Sequence, residues 1–315
     1  MYNENLKEKF IKECVESVTT RESYRQIFNA LEPYEKEWGA DINTKSADDC
    51  SIALDNITGI KIKGKLTRVS LLKKYLKWCV DNHIQGAIYD LDNLKLGNAK
   101  LKRRTVGDPQ DLQCYLDLVF EKEREKTVDN AYRAYIWLAY GGAKECDALE
   151  IKGADVDVNQ MIVSHGDNII YLYDEGLYSI NNCINEKQFL FKHPLYDDIW
   201  KPRAGGDILV RGFKTPKLLS MRAYIARKFK AAVEEHKTDL ELSYSRIWIS
   251  GLFYRMYAQE QNGETVDFSI IAYNIAKERD YESKSGENFQ TRVNRLIKSY
   301  SLDYERWKQI FHCNN

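Results

Sequence analysis

The chain has 315 residues, of which 43% are hydrophobic, 30% charged and 12% aromatic. This composition can form a sizeable core and excludes an intrinsically disordered chain. Lys plus Arg and Asp plus Glu both number 47, which excludes uniformly basic and uniformly acidic classes of protein. The length and the 5 prolines predict two mostly helical domains.

Cysteine and histidine patterns predict no cofactor and no metal. The 7 cysteines are widely spaced and never form a C-x-x-C pair, so we expect neither a disulfide framework nor a structural zinc site. The 5 histidines form no H-E-x-x-H pattern. We find no signal-peptide-like segment and no apolar stretch long enough to cross a bilayer. These features predict a cytoplasmic protein without a membrane partner.

Two segments carry most of the unbalanced positive charge. Residues 61–104 contain twelve basic and three acidic side chains, and residues 201–230 contain nine basic side chains and one acidic one. Either segment alone is best explained as an ordinary solvated helix face. Two such segments on a neutral chain indicate a polyanion that is bound from two sides.

The first part of the chain predicts four helices. Helical spacing of apolar residues covers residues 4–17, and a second helix is predicted from an N-cap at Thr19 or Thr20 to residue 38. A third helix is predicted from the N-cap Ser46 to residue 54, followed by a loop over 56–65.

The fourth predicted helix, over residues 66–82, has two distinct faces. Its apolar face is expected to enter the core and consists of Val69, Leu72, Leu76, Cys79 and Val80. The opposite face offers hydroxyl and ammonium groups at helical spacing, from Thr67, Ser70, Lys74 and Lys77.

A basic, apolar-poor segment predicts the domain boundary. We expect an N-terminal helical domain over 1–95, a basic linker over 96–107, and a C-terminal domain over 108–315. Asp108 and Pro109 predict the start of the first helix after the linker. Another helix is predicted from Thr127 to residue 140, where two glycines end it.

The pattern then changes to short β-rich runs. Residues 161–163 and 169–173, separated by turn residues, predict a small antiparallel sheet. Beyond it we expect a helix over 181–192, a brief strand over 207–210, and helices from residue 218 to residue 311.

The segment from Trp137 to Asp157 resembles the tyrosine recombinase (phage integrase) family. In that family a helix ends in a T-G-L-R-type turn, a helix with an acidic residue follows, and a D-I-D-like step enters a small sheet. Gly142 matches the turn glycine, Asp147 the acidic residue, and residues 155–157 the step. The resemblance implies a mostly α, two-domain clamp: a helical core-binding domain, then a helical domain with a small antiparallel sheet.

The resemblance also implies that the catalytic set is lost. The family uses a tyrosine nucleophile, two arginines, a hairpin lysine and a histidine three residues before the second arginine, because phosphoryl transfer depends on positioning and charge. Here Lys144 stands at the first arginine position, the hairpin over 161–173 lacks lysine, and no H-x-x-R occurs. Ser250 or Arg246 falls near the second arginine, and the nucleophile position falls near Tyr300 and Tyr304.

What remains of the family pattern is DNA binding. The resemblance extends to phage-encoded regulators such as the master repressor of SPbeta-like phages. It implies a sequence-specific double-stranded DNA-binding protein, a transcriptional repressor of phage or prophage lysogeny, in the nucleoid of a bacterial host. The expected DNA contacts are Lys63, Lys65, Arg68, Ser70, Lys74, Lys77, Arg103, Arg104, Lys144, Arg211, Lys214, Lys217, Arg222 and Arg246.

Two alternatives stay open at this point. The first is a divergent active recombinase that uses Lys144, a displaced histidine, and Tyr300 or Tyr304. The second is a helical scaffold or protein-interaction module that binds no nucleic acid, against which the two basic segments argue. Operator DNA is the expected partner, and self-association or a regulatory protein partner is left open.

Overall fold

The chain folds into two compact units. A computed structural model describes residues 1–59, 62–94, 97–120, 129–191, 199–204, 206–211, 217–236, 238–279 and 288–313. The first unit comprises Met1–Leu101 and Phe268–Arg306, and the second comprises Lys102–Asp267 and Trp307–Asn315.

The described residues are mostly helical. The helices are α1 (Glu4–Cys14), α2 (Val18–Trp38), α3 (Ala47–Ile57), α4 (Ile62–Asp81), α5 (Ala99–Lys102), α6 (Pro109–Val119), α7 (Asp129–Gly141), α8 (Asp174–Asn185), α9 (Leu218–His236), α10 (Tyr244–Gln261), α11 (Phe268–Arg279) and α12 (Phe289–Phe311). The strands are β1 (Val156–Asp157), β2 (Ile162–His165), β3 (Asn168–Tyr171), β4 (Gln188–Phe191) and β5 (Ile199–Pro202). The predicted fold class, mostly α with a small antiparallel sheet, is confirmed.

An aromatic cluster forms the centre of the first unit. The ring of Phe10 in α1 lies 5.0 Å from that of Tyr24 in α2 and 5.2 Å from that of Tyr75 in α4, both edge-on. Such pairs add to the stabilisation from burial itself. Because α1 and α2 both pack on the side of α4 that carries Tyr75, the opposite side of α4 stays uncovered by them.

Local capping explains where several helices begin. The hydroxyl of Ser46 accepts from the N–H of Asp49 at 3.2 Å, as predicted, and α3 then continues to Ile57. The predicted caps at Thr19 and Thr20 are wrong, since both residues lie within α2, whose N-cap position is Ser17. In the second unit, Asp108 accepts from the N–H of Asp111 at 2.7 Å and starts α6, as predicted.

The grouping of residues 268–306 differs from the domain boundaries predicted along the chain. Those boundaries place α11 and most of α12 in the C-terminal domain, whereas here they belong to the first unit. The reason is a set of long-range contacts: Asp303 accepts from the N–H of Ile62 at 3.0 Å, and Arg306 donates to the Asn98 side chain at 2.8 Å.

The second unit contains two small antiparallel sheets. One has the order β1-β2-β3, with Val163 paired to Ile170 on its buried side, and the other pairs β4 with β5. The predicted helix over 181–192 is wrong in position, because α8 ends at Asn185 and β4 follows. The strand predicted over 207–210 is reduced to a single bridge between Ile208 and Lys152.

The sequence predicted no membrane-spanning segment, and the helices can be compared with that prediction. Among the residues that the structure describes, none of the helices combines the length and the apolar character that a membrane span requires.

Candidate nucleic-acid interface

One face of α4 presents hydroxyl and ammonium groups to solvent. It consists of five exposed side chains spaced by four, three, four and three residues, which we name the α4 polar face: Lys63, Thr67, Ser70, Lys74 and Lys77. At 1.5 Å per residue this face is about 21 Å long, which equals the rise of about six base pairs. The predicted two-faced helix is confirmed, except that Val80 is exposed.

The ammonium groups of the α4 polar face are available to a ligand. Within the described part of the chain, Lys63, Lys74 and Lys77 make no side-chain hydrogen bond or ion pair. The neighbouring Lys73, by contrast, lies 3.2 Å from the carboxylate of Asp92. Unpaired lysines in a row favour an extended polyanion over an intramolecular role.

Lys65 is not part of this face. Only 1% of its side chain is exposed, and its ammonium group pairs with Asp55 and donates to the carbonyl of Gly97 at 2.6 Å. Burial, followed by the charges of Arg306 and Lys100, lowers the pKa of Lys65 to about 8. The prediction that Lys65 contacts DNA is therefore corrected: the side chain ties α4 to α3 and to the segment before α5.

Arg68 is also partly engaged within the protein. Its guanidinium group donates to the carbonyl of Ile57 at 3.0 Å, and the side chain is half-buried. This bond fixes the arginine over the C-terminal end of α3, where its positive charge interacts favourably with the helix dipole. A DNA contact from Arg68 would use the remaining donors.

In the second unit, the turn after α7 is held from one side by α10. Gly142 has φ +112°, a conformation that favours glycine. Three side chains of α10 donate to carbonyl oxygens of this turn: Tyr244 to Ala143 at 3.0 Å, Trp248 to Gly142 at 3.0 Å, and Arg255 to Tyr140 at 2.5 Å. A Cβ on Gly251 would overlap the carbonyl oxygen of Tyr140, so α10 needs glycine there to approach α7.

Lys144 lies directly after this fixed turn. Its side chain is half-buried, and its carbonyl accepts from the N–H of Ala148 at 2.9 Å and from the Tyr244 hydroxyl at 3.2 Å. The backbone at Lys144 is therefore well determined, which limits where the ammonium group can reach.

The two residues near the second arginine position have different roles. Ser250 is fully buried; its hydroxyl accepts from the N–H of Val106 at 3.1 Å and donates to the carbonyl of Arg246 at 2.9 Å. Arg246 lies in the first turn of α10, and its guanidinium group lines a cavity together with Arg104. The residues three positions before Arg246 and Ser250 are Ser243 and Ile247, and neither is a histidine.

The other predicted contacts are divided between exposed and internally bound groups. Lys217 is exposed just before α9, whereas Arg103 is half-buried. Arg104 pairs with Glu241 at 2.8 Å, and Arg222 forms two bonds to Glu145 at 2.7 and 2.5 Å. Lys214 lies outside the described residues.

Arg211 is held by the backbone of the second unit. Its guanidinium group donates to the carbonyls of Gly206, Cys183 (3.4 Å) and Glu186 (3.5 Å). Arg211 thus binds carbonyl groups at the C-terminal end of α8, a position where a cation is structurally favourable. The sequence could not reveal the contacts with Cys183 and Glu186, because these acceptors lie 28 and 25 residues away.

The two tyrosines near the nucleophile position are buried in the first unit. Tyr304 is fully buried, and 7% of Tyr300 is exposed. The ring of Tyr304 lies 5.9 Å from that of Phe268 at the start of α11. Both side chains therefore contribute to packing between α12 and its neighbours.

Comparison with known families covers the first part of the chain. Residues 1–81 match the family model described as MrpR, N-terminal core-binding domain. This part of the chain, which contains the α4 polar face, is thus similar to a core-binding domain, as the sequence predicted for the N-terminal helices. No curated protein matches the chain.

Several solved structures align with most of the chain at low identity. A XerA recombinase is 14% identical and covers 100% of both chains, with a TM-score of 0.41. The Tn1549 transposon integrase, in complex with a circular intermediate DNA, is 12% identical over 96% of this chain and 98% of that one, with a TM-score of 0.36. A lambda integrase dimer bound to a COC' core site is 12% identical over 89% and 94%, with a TM-score of 0.32.

Proposed function

We propose that this protein binds double-stranded DNA at specific operator sites and represses transcription in a phage or prophage, without recombination activity. The observation that carries the proposal is the α4 polar face, on a domain that matches an MrpR core-binding model. Neutralising backbone phosphates releases counterions, which would supply much of the affinity. The protein would act in the bacterial cytoplasm, at the nucleoid.

Among the described residues, three lysines without an ion pair lie on one face of α4. Some exposed lysines of α1 and α2 pair within their own helix instead: Lys36 lies 3.0 Å from Glu32, and Lys9 lies 3.9 Å from Glu13. On the α4 polar face the hydroxyls of Thr67 and Ser70 stand between the lysines instead, and the Thr67 hydroxyl donates to the carbonyl of Lys63 at 3.0 Å. Hydroxyl and ammonium groups together are the usual donors to phosphate oxygens.

Three features support a role without strand transfer. Lysine at position 144 offers a point charge in place of the two-pronged guanidinium contact to a phosphate. Ser243 cannot supply the proton transfer of an imidazole. The hydroxyl groups of Tyr300 and Tyr304 belong to side chains that are buried in the first unit, whereas a nucleophile must reach a phosphodiester.

A binding experiment with matched variants tests the proposal. Fluorescence anisotropy with the DNA upstream of the protein's own gene, and with a shuffled duplex, measures affinity and specificity. The wild type should prefer its own DNA, and Lys74→Glu/Lys77→Glu should abolish the complex while helix content stays unchanged. The control Lys12→Glu/Lys36→Glu has the same charge change on exposed positions of α1 and α2 and should retain binding. Equal loss in both double variants, or no sequence preference, would overturn the proposal.

A further inference from the structure

Two adjoining cavities lie in the second unit, between α9 and the segment that leads into α10. Their volumes are about 420 and about 370 Å³. Both are lined by Ala226, Phe229 and Leu242, so they form one continuous groove, which we name the α9 groove. Each volume lies in the range of sites that bind small molecules.

The larger cavity is lined mainly by apolar and aromatic groups. Tyr135 of α7 and Tyr244 of α10 form one wall, with ring centroids 4.6 Å apart, and Ile225 of α9 lies in the same lining. The ion pair of Arg222 with Glu145 lines this cavity as well. An aromatic or aliphatic body would gain burial here without the desolvation of many polar groups.

The smaller cavity has an excess of positive charge. Arg104, Lys230 and Arg246 line it, with Glu241 as the acidic residue, and Glu241 already pairs with Arg104 at 2.8 Å. Lys230 extends to solvent and lies 3.7 Å from Glu234. Among the described residues Arg246 forms no ion pair, although the charge of Glu241 acts on it.

The guanidinium group of Arg246 lacks a hydrogen-bond partner where it is buried. Its Nη1 atom is inaccessible to solvent and has no acceptor. Burial, and then the charge of Arg104, lowers the pKa of Arg246. Two neighbouring guanidinium groups repel each other, and an anion in the groove would offset this repulsion through its charge.

We infer that the α9 groove binds a small organic anion, in which a carboxylate, sulfonate or phosphate group is attached to an apolar body. The anionic group lies against Arg246 and Arg104, and the apolar body lies along Ala226 and Phe229 towards Tyr135 and Tyr244. This binding does not depend on DNA, so its test is independent of the proposed function.

A fluorescence titration with 1-anilinonaphthalene-8-sulfonate tests this inference, because the probe joins an aromatic body to one sulfonate. The full-length wild type should bind one equivalent at saturation. Uncharged N-phenyl-1-naphthylamine, which lacks the sulfonate, should bind at least about tenfold more weakly. Near-ultraviolet circular dichroism confirms that each protein is natively packed, since loosely packed states also bind such dyes.

Matched substitutions locate the bound probe. Ala226 is exposed on α9 and lines both cavities, whereas Ala223 is exposed on the same helix outside them. Ala226→Leu should weaken sulfonate binding about tenfold or more, and Ala223→Leu should leave it unchanged. Arg246→Met should remove the preference for the sulfonate over the neutral probe, while Arg227→Met at an exposed position should keep it. Equal affinity in both alanine variants, or no preference for the sulfonate in the wild type, would overturn the inference.

Discussion

The carboxylate of Asp303 accepts a hydrogen bond from the main-chain N–H of Ile62 at 3.0 Å. These residues are 241 positions apart, yet the bond connects α12 to the first turn of α4. The N–H groups of a first helical turn have no partner within the helix. The position of the α4 polar face therefore depends on a residue near the end of the chain.

Removing this carboxylate should loosen the start of α4. Asp303→Ala should lower the free energy of unfolding by about 1 kcal/mol, the usual effect of losing a capping acceptor. Asp303→Asn keeps an acceptor and should lose less. Urea denaturation measures both values, and equal losses would show that the charge of Asp303, which also pairs with Arg306, matters more than the cap.

The sequence predicted α4 well because its two faces follow a simple period. Lys65 lies four residues before Val69, so the same helical period places it on the buried face of α4. The prediction that it contacts DNA rested on its charge alone and did not use this position. Its partner Asp55 and the contacts of α12 could not be predicted, because no local pattern indicates which distant residues meet.

The contacts within the second unit were also only partly predictable from the sequence. Gly142 and the turn at Lys144 followed from a motif in consecutive residues. The burial of Tyr304, the carbonyl contacts of Arg211 and the α9 groove all result from packing between helices that are distant in sequence. Helical periodicity gives the face of a helix but not its neighbour.

The buried ion pair in the core-binding domain should be strongly coupled. Lys7 lies 2.6 Å from Glu35, both side chains are fully buried, and Asp41 is 3.5 Å from the same ammonium group. Lys7→Met should cost about 3–5 kcal/mol, because it leaves two buried carboxylates without a cation. Adding Glu35→Gln should recover part of that loss. A double-mutant cycle by urea denaturation checks this, and strictly additive effects would contradict it.

Lys65 should make the free energy of unfolding depend on pH in the alkaline range. Its pKa is lowered to about 8 in the folded state, against about 10.4 for an unfolded chain. Between these values the unfolded state binds more protons, so this residue makes the free energy of unfolding rise with pH. Relative to Lys65→Met, the wild type should gain stability between about pH 8 and about pH 10. Parallel pH profiles of the two proteins would contradict the lowered pKa.

The tyrosines of α12 should be dispensable for DNA binding. Tyr300→Phe and Tyr304→Phe remove only a hydroxyl group, and neither should change operator affinity. No covalent protein–DNA adduct should form on a nicked suicide substrate. An adduct that disappears in one of these variants would identify the protein as an active recombinase.

Substitution of Lys144 tests the resemblance that places this residue at a DNA-contacting position. Lys144→Ala should weaken operator binding by about 1–2 kcal/mol, the scale of one charge-assisted hydrogen bond. Lys144→Arg should preserve or tighten binding without creating recombination, because the histidine and the second arginine would still be missing. Unchanged affinity and salt dependence in the alanine variant would show that this position does not face the DNA backbone.

The salt dependence of operator binding tests the role of the α4 polar face most directly. Each neutralised phosphate contributes about −0.9 to the slope of log K against log salt. Lys74→Gln/Lys77→Gln should therefore make the slope shallower by about 1.8, while Lys12→Gln/Lys36→Gln should leave it unchanged. An identical slope in the wild type and the Lys74→Gln/Lys77→Gln variant would contradict the assignment of the α4 polar face to the DNA backbone.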